Sequence, residues 1–182
     1  MTGISAPMQA LYEGDRERAE RLLAERGPID VFEAAAFGRV DRLRELLEGD
    51  PDLAHAFSPD GFTALHFSAF FAQPEAAALL IARGADVRAR ARNPMGVEPL
   101  HSAAAADQTR IAEMLLHAGA DPDAAQEGGF VALHAAAQNG NDELAGSLLD
   151  AGADLSITAD DGRTAAEIAR EAGHTSLANS LA

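Results

Sequence analysis

The sequence predicts an all-α solenoid, made by repeating one short helix-turn-helix unit of about 33 residues. Three observations carry this. Leu-His recurs at Leu65-His66, Leu100-His101 and Leu133-His134. Gly-Ala-Asp recurs at Gly84–Asp86, Gly119–Asp121 and Gly152–Asp154. A leucine holds one register at Leu46, Leu80, Leu115, Leu148 and Leu181, with gaps of 34, 35, 33 and 33 residues. Self-similarity at such a period marks a stack in which each unit buries its apolar face only against its neighbours.

Taken in order, residues 1–6 carry no pattern and are expected to be disordered. From Pro7 to Arg26 the chain reads as a helix, a break at Gly14, and a second helix ending in ERLLAERG. Leu22-Leu23 hold the register of Leu46-Leu47 but lie 24 residues earlier. Residues 1–27 therefore form a shortened, helical N-terminal cap, and DRERAERLLAER gives it the polar outer face an end unit needs. A divergent first unit spans 28–59. Ile29-Asp30 start a helix through Phe37, Gly38 closes it, and Val40, Leu43, Leu46 and Leu47 follow at helical spacing. Pro51 and Asp52 mark a turn.

The second unit, 60–92, carries the clearest signals. Asp60-Gly61 is a tight-turn dipeptide. Thr63 can cap a helix opening with Ala64-Leu65-His66. Pro74 suits the first turn of the next helix, and Gly84 its left-handed end. The third unit, 93–127, has a turn about two residues longer, at Asn93–Gly96, before Pro99-Leu100-His101. The fourth spans 128–160. The fifth, 161–182, ends in a helix from about His174 to Leu181, whose Thr175, Ser176, Asn179 and Ser180 suit a C-terminal cap.

Composition narrows the function. Apolar residues make up 47% of the 182, but aromatics only 5%, so the apolar content is largely Ala and Leu. Small side chains let helices approach closely. No run of 18 apolar residues exists, so no membrane span is expected, and Met1–Met8 lacks the pattern of a secretory signal. Cysteine is absent, which excludes disulfides and thiolate metal sites. A cytoplasmic location fits. The net charge of −15 argues against a nucleic-acid partner, because neutralising phosphates needs a basic surface. All 14 basic residues are Arg. This reads as codon bias in a high-GC bacterial genome, or else as a need for planar, bidentate donors. Nine acids and no Arg lie between Asp121 and Asp161, whereas Arg83 to Arg92 holds four Arg and one Asp.

These residues resemble the ankyrin repeat, with its D-G-x-T-P-L-H-x-A-A-x-x-G first half, a second helix ending in L-L, and G-A-D. The resemblance covers roughly 28–182. It implies an L-shaped stack of antiparallel helix pairs with turn or hairpin fingers at about a right angle. It also implies protein binding through fingertips and the concave face of the first helices. The chain departs from the pattern in places. Only Pro99 keeps the proline, and only Thr63 and Thr164 keep the capping threonine, with Glu98 and Val131 elsewhere. The helix-closing glycine persists at Gly38, Gly140 and Gly173 but becomes Ala72 and Asp107 in the middle units. A left-handed backbone there would strain Ala more than Asp.

His66, His101 and His134 could suggest a metal ladder. Stacked helix pairs lie about 8–10 Å apart, and an ion reaches ligands only about 2 Å away, so they cannot share one. The resemblance implies that they bond the capping residue and neighbouring backbone. His55, His117 and His174 read as surface or packing residues. Asp142-Glu143 and Asp160-Asp161 read as solvated turn or cap acids. No catalytic constellation or phosphate loop appears, so no enzyme activity, cofactor or metal is expected.

The sharper signal is aromatic. Five of eight Phe fall between 57 and 71: Phe57, Phe62, Phe67, Phe70 and Phe71. Phe62 occupies a fingertip position, as Phe130 does two units later. Exposed aromatics mark binding surfaces, although Phe70 and Phe71 would also suit packing between units. Arg88, Arg90 and Arg92 alternate along a finger and would point one way. They read either as a site for an acidic group or as a solvated, salt-bridged loop. The sequence thus predicts a monomeric, non-catalytic module. It would bind a protein through Phe62, Phe67, Phe70, Phe71, Phe130 and the Arg88, Arg90 and Arg92 finger. The alternative is a scaffold or engineered array with no dedicated partner, against which the irregular caps and one-off Phe positions argue.

Overall fold

The computed structural model describes residues 4–182. Residues 1–3, half of the stretch expected to be disordered, lie outside that description. Ile4 and Ser5 are non-helical, and α1 (Ala6–Tyr12) begins directly after them. It packs on α2 (Arg16–Glu25), with the break at Gly14, as the sequence suggests.

Five helix pairs follow. They are α3 (Val31–Ala36) with α4 (Val40–Gly49), and α5 (Ala64–Phe70) with α6 (Pro74–Ala82). Next come α7 (Pro99–Ala105) with α8 (Thr109–His117), α9 (Ala132–Asn139) with α10 (Asp142–Asp150), and α11 (Ala165–Glu171) with α12 (Thr175–Ser180). The first helices α3, α5, α7, α9 and α11 pack in one row, each on the next. The helices α4, α6, α8 and α10 form a second row behind them. This is the all-α stack that the repeat predicts. The turn at Pro51 is a short 3₁₀ helix, Pro51–His55. Among the described residues the fingers form no strand, only isolated bridges at Phe57–Thr63 and Thr158–Thr164. No helix there is long and apolar enough to cross a membrane.

Composition explains the two rows. The first row meets through alanine: Ala35, Ala69, Ala103, Ala104, Ala136 and Ala169 are all buried. With so little side chain, the short helices come close. The second row meets through leucine at Leu80, Leu115 and Leu148, again fully buried. Each such leucine contributes about 1.5–3 kcal/mol by leaving water. Of the doubled leucine in the first pair, Leu47 is buried, while Leu46 is only partly covered. The register expected at Leu46 is therefore one residue early. Counting from Leu47, the gaps to Leu80, Leu115, Leu148 and Leu181 become 33, 35, 33 and 33 residues. The doubled leucine hid the register, because both neighbours are apolar.

Local chemistry starts and stops the helices. Asp30 accepts the Glu33 N–H at 2.9 Å, and the Glu33 carboxylate accepts the Asp30 N–H at 3.3 Å, a reciprocal capping box. Glu33 is itself buried, takes the Ser5 hydroxyl at 2.7 Å, and pairs with Arg26, which ties the N-terminal cap to the first pair. Each first helix ends in a left-handed residue. Glycine fills this place at Gly38 and Gly140, but Ala72 (φ 58°) and Asp107 (φ 59°) fill it in the middle units. The strain expected there is present.

Units are stitched along the fingers. Arg92 N–H donates to the Gly61 carbonyl at 2.8 Å, Glu127 N–H to Met95, and Asp160 N–H to Gly128. At Gly61 the next finger approaches so closely that a Cβ would sit 2.7 Å from the Arg92 backbone. Glycine alone fits.

The three repeated histidines brace the same joints. In each, Nδ1 accepts the N–H of the residue before its helix: Thr63 at 3.2 Å, Glu98 at 3.0 Å and Val131 at 3.0 Å. Thr63 adds its hydroxyl at 2.8 Å. On the other side, His66 Nε2–H donates to the Val97 carbonyl at 3.0 Å and His101 to Ala124 at 2.8 Å. The His134 Nε2 has no such partner among the described residues. The networks thus differ between units, yet the backbone bond survives loss of the threonine. All three rings must be neutral to accept at Nδ1. Burial lowers their pKa, to about 4 for His66.

Candidate functional site

The first-helix row is the front of the stack, and one apolar groove of about 840 Å³ opens there. Its floor is α5 and α7, through Phe67, Ser102 and Ala105, with Phe70 at the rim. The finger turns give one wall, with Asp60, Phe62, Met95 and Val97. Helix α1 gives the other, with Gln9, Tyr12 and Glu13. The N-terminal cap thereby turns an open face into a three-sided groove. This size falls within the range of ligand-binding clefts, about 300–1,000 Å³.

The aromatics interlock. Phe67 is only 3% exposed, and meets Phe32 at 6.0 Å and Phe62 at 5.8 Å between ring centroids. It forms floor rather than rim. Phe70 is 41% exposed and presents the larger free face. Phe71, half-buried, lies outside the groove and stacks edge-on against Tyr12 at 5.1 Å. Phe62 tilts against His66 at 5.6 Å, and Phe130 repeats the same contact on His134 at 4.9 Å. Phe130 lines the next groove along the front, which shares His101, Ala105 and Gln126 with the first. The front is thus continuous from α1 to α9.

Arg88, Arg90 and Arg92 do share one side, alternating with buried Ala89 and Ala91. They line a separate depression and are committed to neighbouring fingers. Arg88 Nε–H donates to the Gly119 carbonyl at 2.7 Å, and Arg90 to Ala125 at 3.0 Å. The Arg92 guanidinium lies 3.8 Å over the Phe57 ring. They pair with backbone and with an aromatic face. Neither reading of the sequence foresaw this, because backbone acceptors one unit away carry no sequence signal.

Tyr12, Met95, Ser102 and Asp60 were not foreseen as groove residues. Two had a signal. Met95 sits in the lengthened turn of the third unit, and that extra length carries it over the groove. Tyr12 is the only tyrosine in the chain. Burial, with a smaller contribution from the Asp60 carboxylate, pushes its phenol above the ordinary range. The titratable groups of the groove are thus a phenol kept neutral, two neutral imidazoles and two carboxylates. No acid and base are paired among them.

The profile of a family described as ankyrin repeats (3 copies) matches residues 31–126 and residues 100–182. No curated protein matches the chain significantly.

Proposed function

Because the chain belongs to the ankyrin-repeat family, we propose that it binds a protein segment in the groove between α1 and the α5–α7 front. Ankyrin repeats are generally protein–protein interaction modules, and the family is typically non-catalytic. One observation carries the location. Five large apolar side chains are exposed among the described residues: Ile4, Tyr12, Phe70, Met95 and Leu155. Four of them, all but Leu155, line this one groove. On a chain of net charge −15, exposed apolar surface gathered in one cleft supports a binding site.

Binding would bury Phe70 and Met95 as anchors beside the Phe67 floor and the Phe62 wall, which already pack on each other. Little ordering is needed, because the aromatic floor is pre-packed. Phe130 would extend contact along the front, and Phe71 would hold Tyr12 in place. Arg88, Arg90 and Arg92 enter as braces that fix the fingers. The groove's charged residues are acids, so a protein segment suits it better than nucleic acid. A peptide-display selection on the immobilised protein tests the proposal. Enriched clones should lose binding to Phe70→Glu. Clones that bind the variant as well as the parent would overturn it.

A further inference from the structure

We infer that the groove takes a basic amphipathic segment: a bulky apolar side chain between Phe62, Phe70 and Met95, with a Lys or Arg beside it meeting the Asp60 carboxylate. This holds provided that the groove is where a protein binds, as proposed above.

The argument is one of charge at the edge of an apolar cleft. The charged residues lining the groove are Glu13 and Asp60, and none of the 14 Arg lines it. Glu13 is already paired with Arg18 at 2.9 Å. Asp60 takes the Ser58 hydroxyl but forms no ion pair among the described residues. It lines the finger wall of the groove, and Tyr12 lines the α1 wall. A segment laid over this cleft would strip water from the carboxylate, and a cation beside the anchor would replace that solvation better than a neutral donor. An acidic segment would meet it with repulsion. On the floor, the Ser102 side chain is largely buried, and its hydroxyl makes no hydrogen bond to the described residues. It is free to meet a backbone group of the incoming chain.

The test uses the full chain and its own reporter. There is one tyrosine and no tryptophan, and that tyrosine lines the groove. Three blocked peptides share one Leu/Phe pattern, with their polar positions all Lys, all Ser or all Glu. Tyr12 fluorescence is followed during titration of each. The Lys peptide should bind about tenfold more tightly than the Ser peptide, and the Glu peptide should not bind. Asp60→Asn should bring the Lys peptide down to the Ser peptide's affinity. Phe70→Glu should abolish Lys-peptide binding although it adds negative charge. Met95→Glu, on an exposed turn, should do the same without touching a helix. A Lys peptide that binds Phe70→Glu and Met95→Glu undiminished would be adsorbing to the acidic surface generally, which overturns the inference. Equal Lys and Ser affinities, both lost in Phe70→Glu and both indifferent to Asp60→Asn, would also overturn it. That last result would leave the groove standing as the binding site, whereas display clones indifferent to Phe70→Glu would remove the site itself.

Discussion

Ala72 and Asp107 occupy the same place in successive units, both left-handed, and chemistry separates them. Ala72 meets the strain of a Cβ at φ 58° with no compensating side-chain bond. The Asp107 carboxylate accepts the Asn141 amide at 2.6 Å, across to the next unit. Asp also tolerates this region better. Ala72→Gly should therefore stabilise the protein by about 0.5–1 kcal/mol, the relief of strain less the added freedom of the unfolded chain. Asp107→Gly should give no gain, because the bond to Asn141 is lost. Urea midpoints at unchanged slope would show the difference. Equal shifts for both would mean that the inter-unit bond does not contribute. The strained positions were legible in the sequence as missing glycines. That one had been compensated was not, since Asn141 lies a full unit away.

Among the elements, the pairing of α4 with α6 locates the hydrophobic register. Where α4 packs on α6, Leu47 is buried and Leu46 only partly covered. Leu47→Ala should cost about 2–5 kcal/mol, as cavity-forming truncations do. Leu46→Ala should cost about 1 kcal/mol or less. Chemical denaturation of both variants measures this, and the reverse order would restore the register expected at Leu46. Helix boundaries and their polar faces were readable, because 3.6-residue periodicity reports one buried stripe. Two adjacent leucines leave that stripe ambiguous by one residue. Only the packed structure, which buries Leu47 and leaves Leu46 partly covered, resolves it.

For the whole molecule, the buried histidines make stability depend on pH. Their folded pKa values lie below the ordinary 6.5, so below about pH 6.5, and down to about 4 for His66, the unfolded chain binds more protons. Stability is then fully present above pH 6.5 and falls as pH drops through that window. His66 alone, at about 4, accounts for about 2 kcal/mol lost by pH 5. Glu98 works in the opposite sense, since burial raises its pKa and favours the folded state at acid pH. His66→Gln offers a test. Thr63-x-x-Gln is itself a capping-box sequence, and the amide oxygen can accept the Thr63 N–H without titrating. The variant should fold at pH 7, and its loss of stability between pH 7 and 5 should be smaller by about 2 kcal/mol. An unchanged pH slope would show that His66 does not titrate with folding.

The sequence by itself determined the repeating unit, the helices and their caps, the spacing that keeps the three histidines from sharing a metal, and the aromatic concentration near residues 57–71. These follow from local spacing and from side-chain chemistry within one unit. Tertiary structure decided the rest. It made Phe67 floor and Phe70 rim, spent Arg88, Arg90 and Arg92 on carbonyls and a ring of adjoining fingers, and brought Tyr12 to the groove across an intervening helix pair. Which atoms face water depends on how far apart neighbouring units stand, and no single unit carries that distance.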